Sequence, residues 1–506
     1  MIPVLSKLEA QKLDEITINS GTKSAFNLMK SAGSKVAIWF MENIPSPFNK
    51  DILIIAGKGN NGGDGIVAHH YLIEYGIKST LILMDKSELD RKLLLDYNIP
   101  KETVNIFDED SPLPCHDWII DSVFGIGLKR SVEGRFKNLI TKMNLSKNII
   151  SVDIASGLFT DTGLAGGLSV NSKFTITMGY EKYAHYLNSG RSKSGGVTVV
   201  DIGFKTPDQS DFVIQKIQKC DINRIFKEVR HNIYKYAKGK VSIVAGSIGM
   251  SGAAILTSQG ALRSGCGIIK LFTPDCINSE IKTNMPEIIS FPLANIDDGI
   301  VSSIHLPVIL ENMYADSVLL IGPGLGNNIA TSEAVGELIR SYNGRLVLDA
   351  SGFNPLINGI INLDDLPDES ILTPHYGEFS RLFGMDINEV CEDPIRSLQK
   401  VKDKIGNKII ILKGSPTFIT SDTDQIYMVP NGLSLLATAG TGDVHSGMTA
   451  GFFAQNYSAL ESSILASFIH AETSQYYKKQ IGSVGMTASD ISYLISSTME
   501  SILNEN

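Results

Sequence analysis

The sequence predicts an α/β protein made of two consecutive domains, each built on a mostly parallel sheet covered by helices. Three observations carry that reading. At 506 residues the chain is too long for one ordinary hydrophobic core. Short apolar runs alternate with helix-like stretches along most of it. That rhythm is interrupted once, between about 206 and 240, by a polar and mixed stretch.

The elements follow in order. The chain opens with a helical stretch to about Met41. Residues 51–56 (DILIIA) are apolar on both faces, as a strand inside a parallel sheet must be. Residues 57–65 read as a glycine-rich turn and 66–75 as the helix after it. Strands at 80–84, 118–121, 149–153, 174–178 and 197–200 complete the first sheet. The second series begins at 241–246 and continues through 267–272, 317–321, 345–349 and 408–412. The expected domains are 1–215 and 225–506.

Composition removes several classes of function. A net charge of -9 lacks the basic stripe that nucleic-acid binding needs. No run of about 18 apolar residues predicts a membrane span, and the first residues lack the apolar run of a signal peptide. The five cysteines, Cys115, Cys220, Cys266, Cys276 and Cys391, are odd in number and form no CxxC pair. They read as reduced thiols, and the expected location is the cytoplasm.

In the first half the chemistry-bearing residues gather after strands. Gly57 to Gly65 contains five glycines, two asparagines and an aspartate ahead of a helix. Such a loop lets backbone approach a ligand and offers free helix amides to an anion, although glycine loops are as often plain turns. Asp121 and Asp153 close two buried strands, where open α/β sheets bind ligands. Either could merely cap the next helix. Together with Asn60 and Asn61 they offer oxygens for a hard cation and a carboxylate for proton transfer.

The segments NNGGDG, DSVFGIGL and VDIASGLFTDTG resemble the epimerase domain of NAD(P)H-hydrate repair enzymes. The resemblance implies a Rossmann-like three-layer domain that interconverts the R and S forms of the C6-hydrated nicotinamide ring. It implies a potassium ion held by Asn61, Asp121 and Ser156. It also implies that the hydrated nucleotide meets Asn60, Asn61, Gly62, Gly63, Asp64, Gly125, Ile126, Gly127, Leu128, Lys129, Arg130, Ser131 and Asp153, with Asp153 the acid/base. Ala155, Phe159 and Ile126 depart from the family's usual proline, asparagine and threonine.

In the second half, ATAGTGDVHSG (437–447) puts small residues and glycines before a helix, so amides can converge on phosphate oxygens. Asp443, at the start of that helix, is placed to take a proton from an attacking hydroxyl; a simple helix cap is the bland alternative. This segment resembles the anion hole of the ribokinase-like superfamily. Ala245-Gly246-Ser247, Gly322-Pro323-Gly324-Leu325-Gly326, Leu348-Asp349-Ala350, Thr373-Pro374-His375-Tyr376-Gly377-Glu378 and Lys413-Gly414 narrow the likeness to its NAD(P)H-hydrate dehydratase branch.

That resemblance implies a ribokinase-like α/β domain using ADP, with magnesium on the phosphates, to dehydrate the S hydrate. Asp443 is then the catalytic base, and Ala253, Gly324 and His375 join it around the substrate. Gly442 and Lys413, Gly414, Ser415, Pro416 and Thr417 border the nucleotide. Leu433 and Leu435 replace an expected asparagine and glycine, and His445 reads as structural. Partners are small molecules, the NADH and NADPH hydrates (NADHX and NADPHX) and ADP, with no nucleic acid or membrane, and a homo-oligomer is expected. The competing reading is a ribokinase-like small-molecule kinase with a non-catalytic N-terminal nucleotide-binding module.

Overall fold

The computed structural model describes residues 1–208, 211–227, 234–294, 299–420 and 422–504. The chain divides into two compact units, Pro3–Val213 and Ile214–Asn506 with Met1–Ile2. The first unit therefore ends at Val213, and 214–224 go with the second. The cause is burial: Ile214–Lys216 form a strand beside Ile426–Val429, and Ile217 and Ile222 enter the second unit's core. Among the described residues no helix is long and apolar enough to cross a membrane.

The first unit holds a parallel sheet of seven strands. In order they are Val104–Ile106, Ser79–Leu83, Ile52–Ala56, Trp118–Ser122, Ile149–Val152, Phe174–Met178 and Gly196–Val200. Ile52–Ala56 is buried throughout, and its side chains alternate between two cores. Ile52 and Ile54 meet Val36, Phe40 and Val67 on one face, while Leu53 and Ile55 meet Leu139, Ile140 and Met143 on the other.

The turn after this strand is shorter than the sequence suggests. The helix already begins at Asn60 and runs Asn60–Glu74, with Gly59 as its N-cap. Its glycines serve close packing instead of turning. A Cβ on Gly62 would lie 1.9 Å from the Gly57 carbonyl oxygen, and one on Gly65 would lie 1.9 Å from Ser122 Oγ. The helix consequently lies against the strand ends and aims its first turn along them.

In the second unit the parallel part of the sheet runs Ile409–Leu412, Ile371–Leu372, Leu346–Leu348, Val318–Ile321, Lys240–Val244, Ile268–Pro274 and Ile289–Leu293. Thr417–Thr420 and Ile426–Val429 extend it antiparallel. The helices Ser251–Arg263 and Thr441–Ala454 cross at glycines. A Cβ on Gly447 would sit 2.0 Å from the Thr257 carbonyl oxygen, and one on Gly260 would sit 2.2 Å from that of Val444. Gly451 is pressed equally close to Ser264 Oγ, at 2.0 Å.

Candidate active sites

Each sheet presents a cluster of ionisable groups at the carboxyl ends of its strands. In the first unit this end opens into a cavity of about 1060 Å³, lined among others by Asn60, Asn61, Asp64, the run from Gly125 to Arg130, and Asp153. Gly62 and Gly63 do not line it. Gly62 is pressed on Gly57, and a Cβ on Gly63 would meet the Met29 thioether at 2.6 Å. Ser131 is exposed and also lies outside the lining.

Asp153 follows the strand Ile149–Val152 in a left-handed conformation, φ 66°. Aspartate tolerates that region better than most residues, and such strain collects at functional sites. Its carboxylate is ion-paired with the Lys182 ammonium and accepts from Thr177 Oγ1 at 2.9 Å and Met178 N at 3.2 Å. Burial pushes its proton affinity up, but the Lys182 charge and these donors hold the carboxyl below the ordinary range. Behind it, His185 Nδ1 accepts from Lys182 N at 3.1 Å, so Nε2–H donates to the Asp153 carbonyl at 3.0 Å. Burial lowers His185 to about 4, which keeps this ring neutral.

Two further carboxyls face the same cavity. Asp64 is pushed well above the usual carboxylate range by burial and then by the charges of Asp153 and Asp14. Asp14, on the helix Lys7–Asn19, is pushed up to about 6 by burial and Asp153, against the opposing pull of Lys182.

Asp121 and Ser156 sit beneath the floor. Asp121 is fully buried and accepts from Ser156 Oγ at 2.6 Å, Ser151 Oγ at 2.7 Å and Ser156 N at 2.9 Å. Ser156 Oγ also receives Phe124 N at 2.8 Å. Next along the chain, Gly125 lies against the Asn61 side chain, whose Cβ would be 3.1 Å from a Cβ there. Both polar atoms of the Asn61 amide are buried with no hydrogen-bond partner. A buried amide left without partners is a group that a bound ligand or ion would satisfy.

In the second unit five neighbouring strand ends contribute. Asp349 follows Leu346–Leu348 and Lys413 follows Ile409–Leu412, and Lys413 Nζ donates to Asp349 Oδ1 at 2.6 Å. Thr373, after Ile371–Leu372, adds an Oγ1 donor to the same oxygen at 2.7 Å. Gly324 meets Ala253, with 2.8 Å between the Ala253 Cβ and a Cβ built on the glycine. Ser247 Oγ ties this corner by donating to the Gly324 carbonyl at 2.7 Å.

Asp443 stands in the first turn of Thr441–Ala454, after Gly440 in a left-handed turn of φ 86°. The Lys413 ammonium lies 3.4 Å from a Cβ built on Gly442, so it reaches the glycines that open the helix. Burial, then the Asp349 charge, push Asp443 up to about 7; Lys413 opposes this and Glu378 adds to it. Burial alone would lower Lys413, but Asp349 and Glu378 hold it above its ordinary value.

His375 is the N-cap of Tyr376–Phe383. Its Nδ1 accepts from Gly377 N at 3.0 Å and Glu378 N at 3.2 Å, and Glu378 Oε2 receives His375 N at 2.8 Å. The cap leaves Nε2 on an exposed side chain. His445 is buried on the helix behind Asp443, with Nε2 3.1 Å from Ser467 Oγ. Its neighbour His470 places Nε2 3.0 Å from the Thr441 carbonyl.

Sequence reasoning missed Asp14 and Lys182 and left Asp349 without a role. Asp349 carried the same signal as Asp121, an acid closing a buried strand. Asp14 carried one too. It falls on the buried stripe of Ala10, Leu13 and Thr17, where a charged residue is out of place. Lys182 offered no signal.

Comparison with known proteins bears on both units. A family model described as NAD(P)H-hydrate dehydratase matches residues 241–497, and one described as YjeF-related protein N-terminus matches residues 25–184. A bifunctional NAD(P)H-hydrate repair enzyme of Dictyoglomus turgidum is 32% identical over 98% of this chain and 98% of its own. The Escherichia coli enzyme of that name is 26% identical over 97% of this chain and 90% of its own. Among solved structures, the ADP/ATP-dependent NAD(P)H-hydrate dehydratase of Bacillus subtilis, co-crystallised with ATP and magnesium, is 25% identical with a TM-score of 0.50. It covers 56% of this chain and 97% of its own length.

Proposed function

We propose, from the premise that the chain belongs to the bifunctional NAD(P)H-hydrate repair enzymes, that each unit carries one of the two activities that name implies. The first unit epimerises R and S hydrates at C6; the second dehydrates the S hydrate to NAD(P)H at the expense of ADP. The observation that carries this reading is the pair of separate strand-end clusters, each with a buried lysine–carboxylate pair and a further carboxyl of raised proton affinity.

In the second unit Asp443 removes the proton of the C6 hydroxyl as that oxygen attacks the terminal phosphorus of ADP. AMP departs with the electron pair of the broken P–O bond. The C6 phosphate ester then leaves as phosphate with its own electron pair, the ring nitrogen supplies its lone pair, and C5 loses a proton to water. The free amides around Gly440 to Asp443 and the Lys413 charge face the phosphates. Magnesium would arrive on those phosphates, since among the described residues no group of three or more His, Cys, Asp and Glu side chains could hold a metal. Ala253, Gly324 and His375 border the hydrated ring, and Gly414 to Thr417 the nucleotide.

In the first unit Asp153, held ionised by Lys182, serves as the acid/base for the oxygen that leaves and returns at C6. Asn61, Asp121 and Ser156 would hold potassium, whose positive charge would offset the buried Asp121 carboxylate. Support for that assignment is the unpartnered Asn61 amide. The loop from Gly125 to Arg130, with Lys129 and Arg130, faces the anionic part of the nucleotide.

The test is recovery of dihydronicotinamide absorbance from mixed R and S NADH hydrate with ADP, magnesium and potassium. A fast phase running to near-complete recovery is expected. A halt at the S fraction would remove the epimerase assignment, and no recovery with ADP or ATP would remove the dehydratase.

A further inference from the structure

We propose that Asp14, on the N-terminal helix Lys7–Asn19, is a second catalytic carboxyl of the epimerase site and the proton-donating partner of Asp153. The inference rests on the epimerase reading of the first unit. Inverting C6 moves an oxygen from one face of the ring to the other, so one group must serve its departure and another its return. Asp153 is poorly placed to do both, because Lys182, Thr177 Oγ1 and Met178 N all hold its Oδ1 and leave only Oδ2 to meet the substrate from one side.

Asp14 has the complementary surroundings. It lines the same cavity, half-buried, and no described residue donates a hydrogen bond to it. The groups that act on its charge are Asp153 and Lys182, and Asp64 is its other acidic neighbour. Its helix is fastened to the segment that carries Lys182. Leu5 N donates to the Glu181 carbonyl at 2.8 Å, and Tyr183 N donates to the Leu5 carbonyl at 3.1 Å. Lys7 N caps this contact on Asp161 Oδ1 at 2.6 Å. The chain therefore holds Asp14 in register with the Asp153–Lys182 pair. Its titration near 6, from burial and the Asp153 charge, lets it both give and regain a proton close to neutral pH. Asp64 is also pushed up, by burial and then by the charges of Asp153 and Asp14.

The step balances as follows. Asp14 passes its proton to the C6 hydroxyl, the C6–O bond breaks with its electron pair on oxygen, and water leaves as the ring nitrogen forms an iminium with C6. A water on the other face attacks C6 and Asp153 takes its proton, which restores the neutral ring with C6 inverted. The next conversion, in the opposite direction, uses the two carboxyls in exchanged roles.

The experiment measures epimerisation of purified R NADH hydrate by the full chain, with dehydration of S hydrate by the same preparation as the internal control. Asp14→Asn is expected to lower the epimerisation kcat about 100-fold with little change in KM, leaving dehydration unchanged. It should also abolish the decline in rate expected of the parent protein as pH rises above about 6. Asp14→Glu, which keeps an acid, should recover part of the rate and restore that decline. Asp14→Asn epimerising at the parent rate while Asp153→Asn is inactive would overturn the proposal. So would a loss shared equally by Asp14→Asn and Asp14→Glu with the pH profile unmoved, the mark of a merely structural residue. A parent protein that dehydrates S hydrate without epimerising R hydrate would instead sink the reading beneath it.

Discussion

The two units distribute charge differently around the same parts. In the second, the Lys413 ammonium sits on Asp349 and leaves Asp443 without a cation of its own, pushed up to about 7. In the first, Lys182 sits on Asp153 itself, which is held below the ordinary range, and the displaced proton affinity appears on Asp14 and Asp64. A clamped carboxylate favours its charged form and is a weak base. An unclamped one beside it is a stronger base, and it costs stability to keep ionised. In the proposed scheme, phosphoryl transfer runs one way and uses the single base poised near neutral pH, while epimerisation runs both ways and uses two groups that exchange a proton.

The sharpest break of this comparison is Asp443→Asn. Dehydration of S hydrate should fall about 1000-fold in kcat, read as loss of absorbance recovery, with R-to-S conversion untouched. Equal loss of both activities would mean that the units do not work independently. Next in size are the lysines. Lys182→Met should reduce epimerisation about 100-fold and move the acidic limb of its pH profile upward, because Asp153 loses the charge that keeps it ionised. Lys413→Met should instead raise the pH needed for dehydration, since Lys413 is what holds Asp443 down. Profiles that stay in place would contradict the charge scheme.

The smallest effect is on stability. The folded-state value of Asp443, about 7, lies above the unfolded value of about 3.9. The unfolded chain therefore ionises first, and the penalty grows as pH rises from about 4 to 7, becoming complete above that. Asp443→Asn should accordingly be more stable than its parent at pH 8, by no more than about 4 kcal/mol, and equal to it at pH 3. Denaturant melts at the two pH values check this, and a variant less stable at pH 8 would refute it.

Much of the frame was legible because buried parallel strands leave near-continuous apolar runs. Phe174–Met178 is found as read, and Ile52–Ala56 and Ile409–Leu412 within a residue at the start. Ile289–Leu293 was not, since it lies at the sheet's edge, is only partly buried and contains Pro292. Glycine misled in one respect. Gly62, Gly63 and Gly65 looked like a turn, but only the packed helix shows that they exist to let backbone, Met29 and Ser122 come close. Motifs located Asp153, Asn61 and Asp443. Lys182 escaped because its place depends on which distant segment it folds against, which no local pattern encodes, whereas Asp14 left a local trace, a charge on the buried stripe of Ala10, Leu13 and Thr17.

The glycine crossing between Ser251–Arg263 and Thr441–Ala454 has a consequence in time. With backbones touching at Gly260, Gly447 and Gly451 there is no layer of side chains to slide or repack. The helix that carries Asp443 is thus a fixed anvil and not a hinged lid, and whatever moves during turnover must be brought to it. Its amides beyond the first turn should be among the last in the chain to exchange with deuterated water, with or without nucleotide.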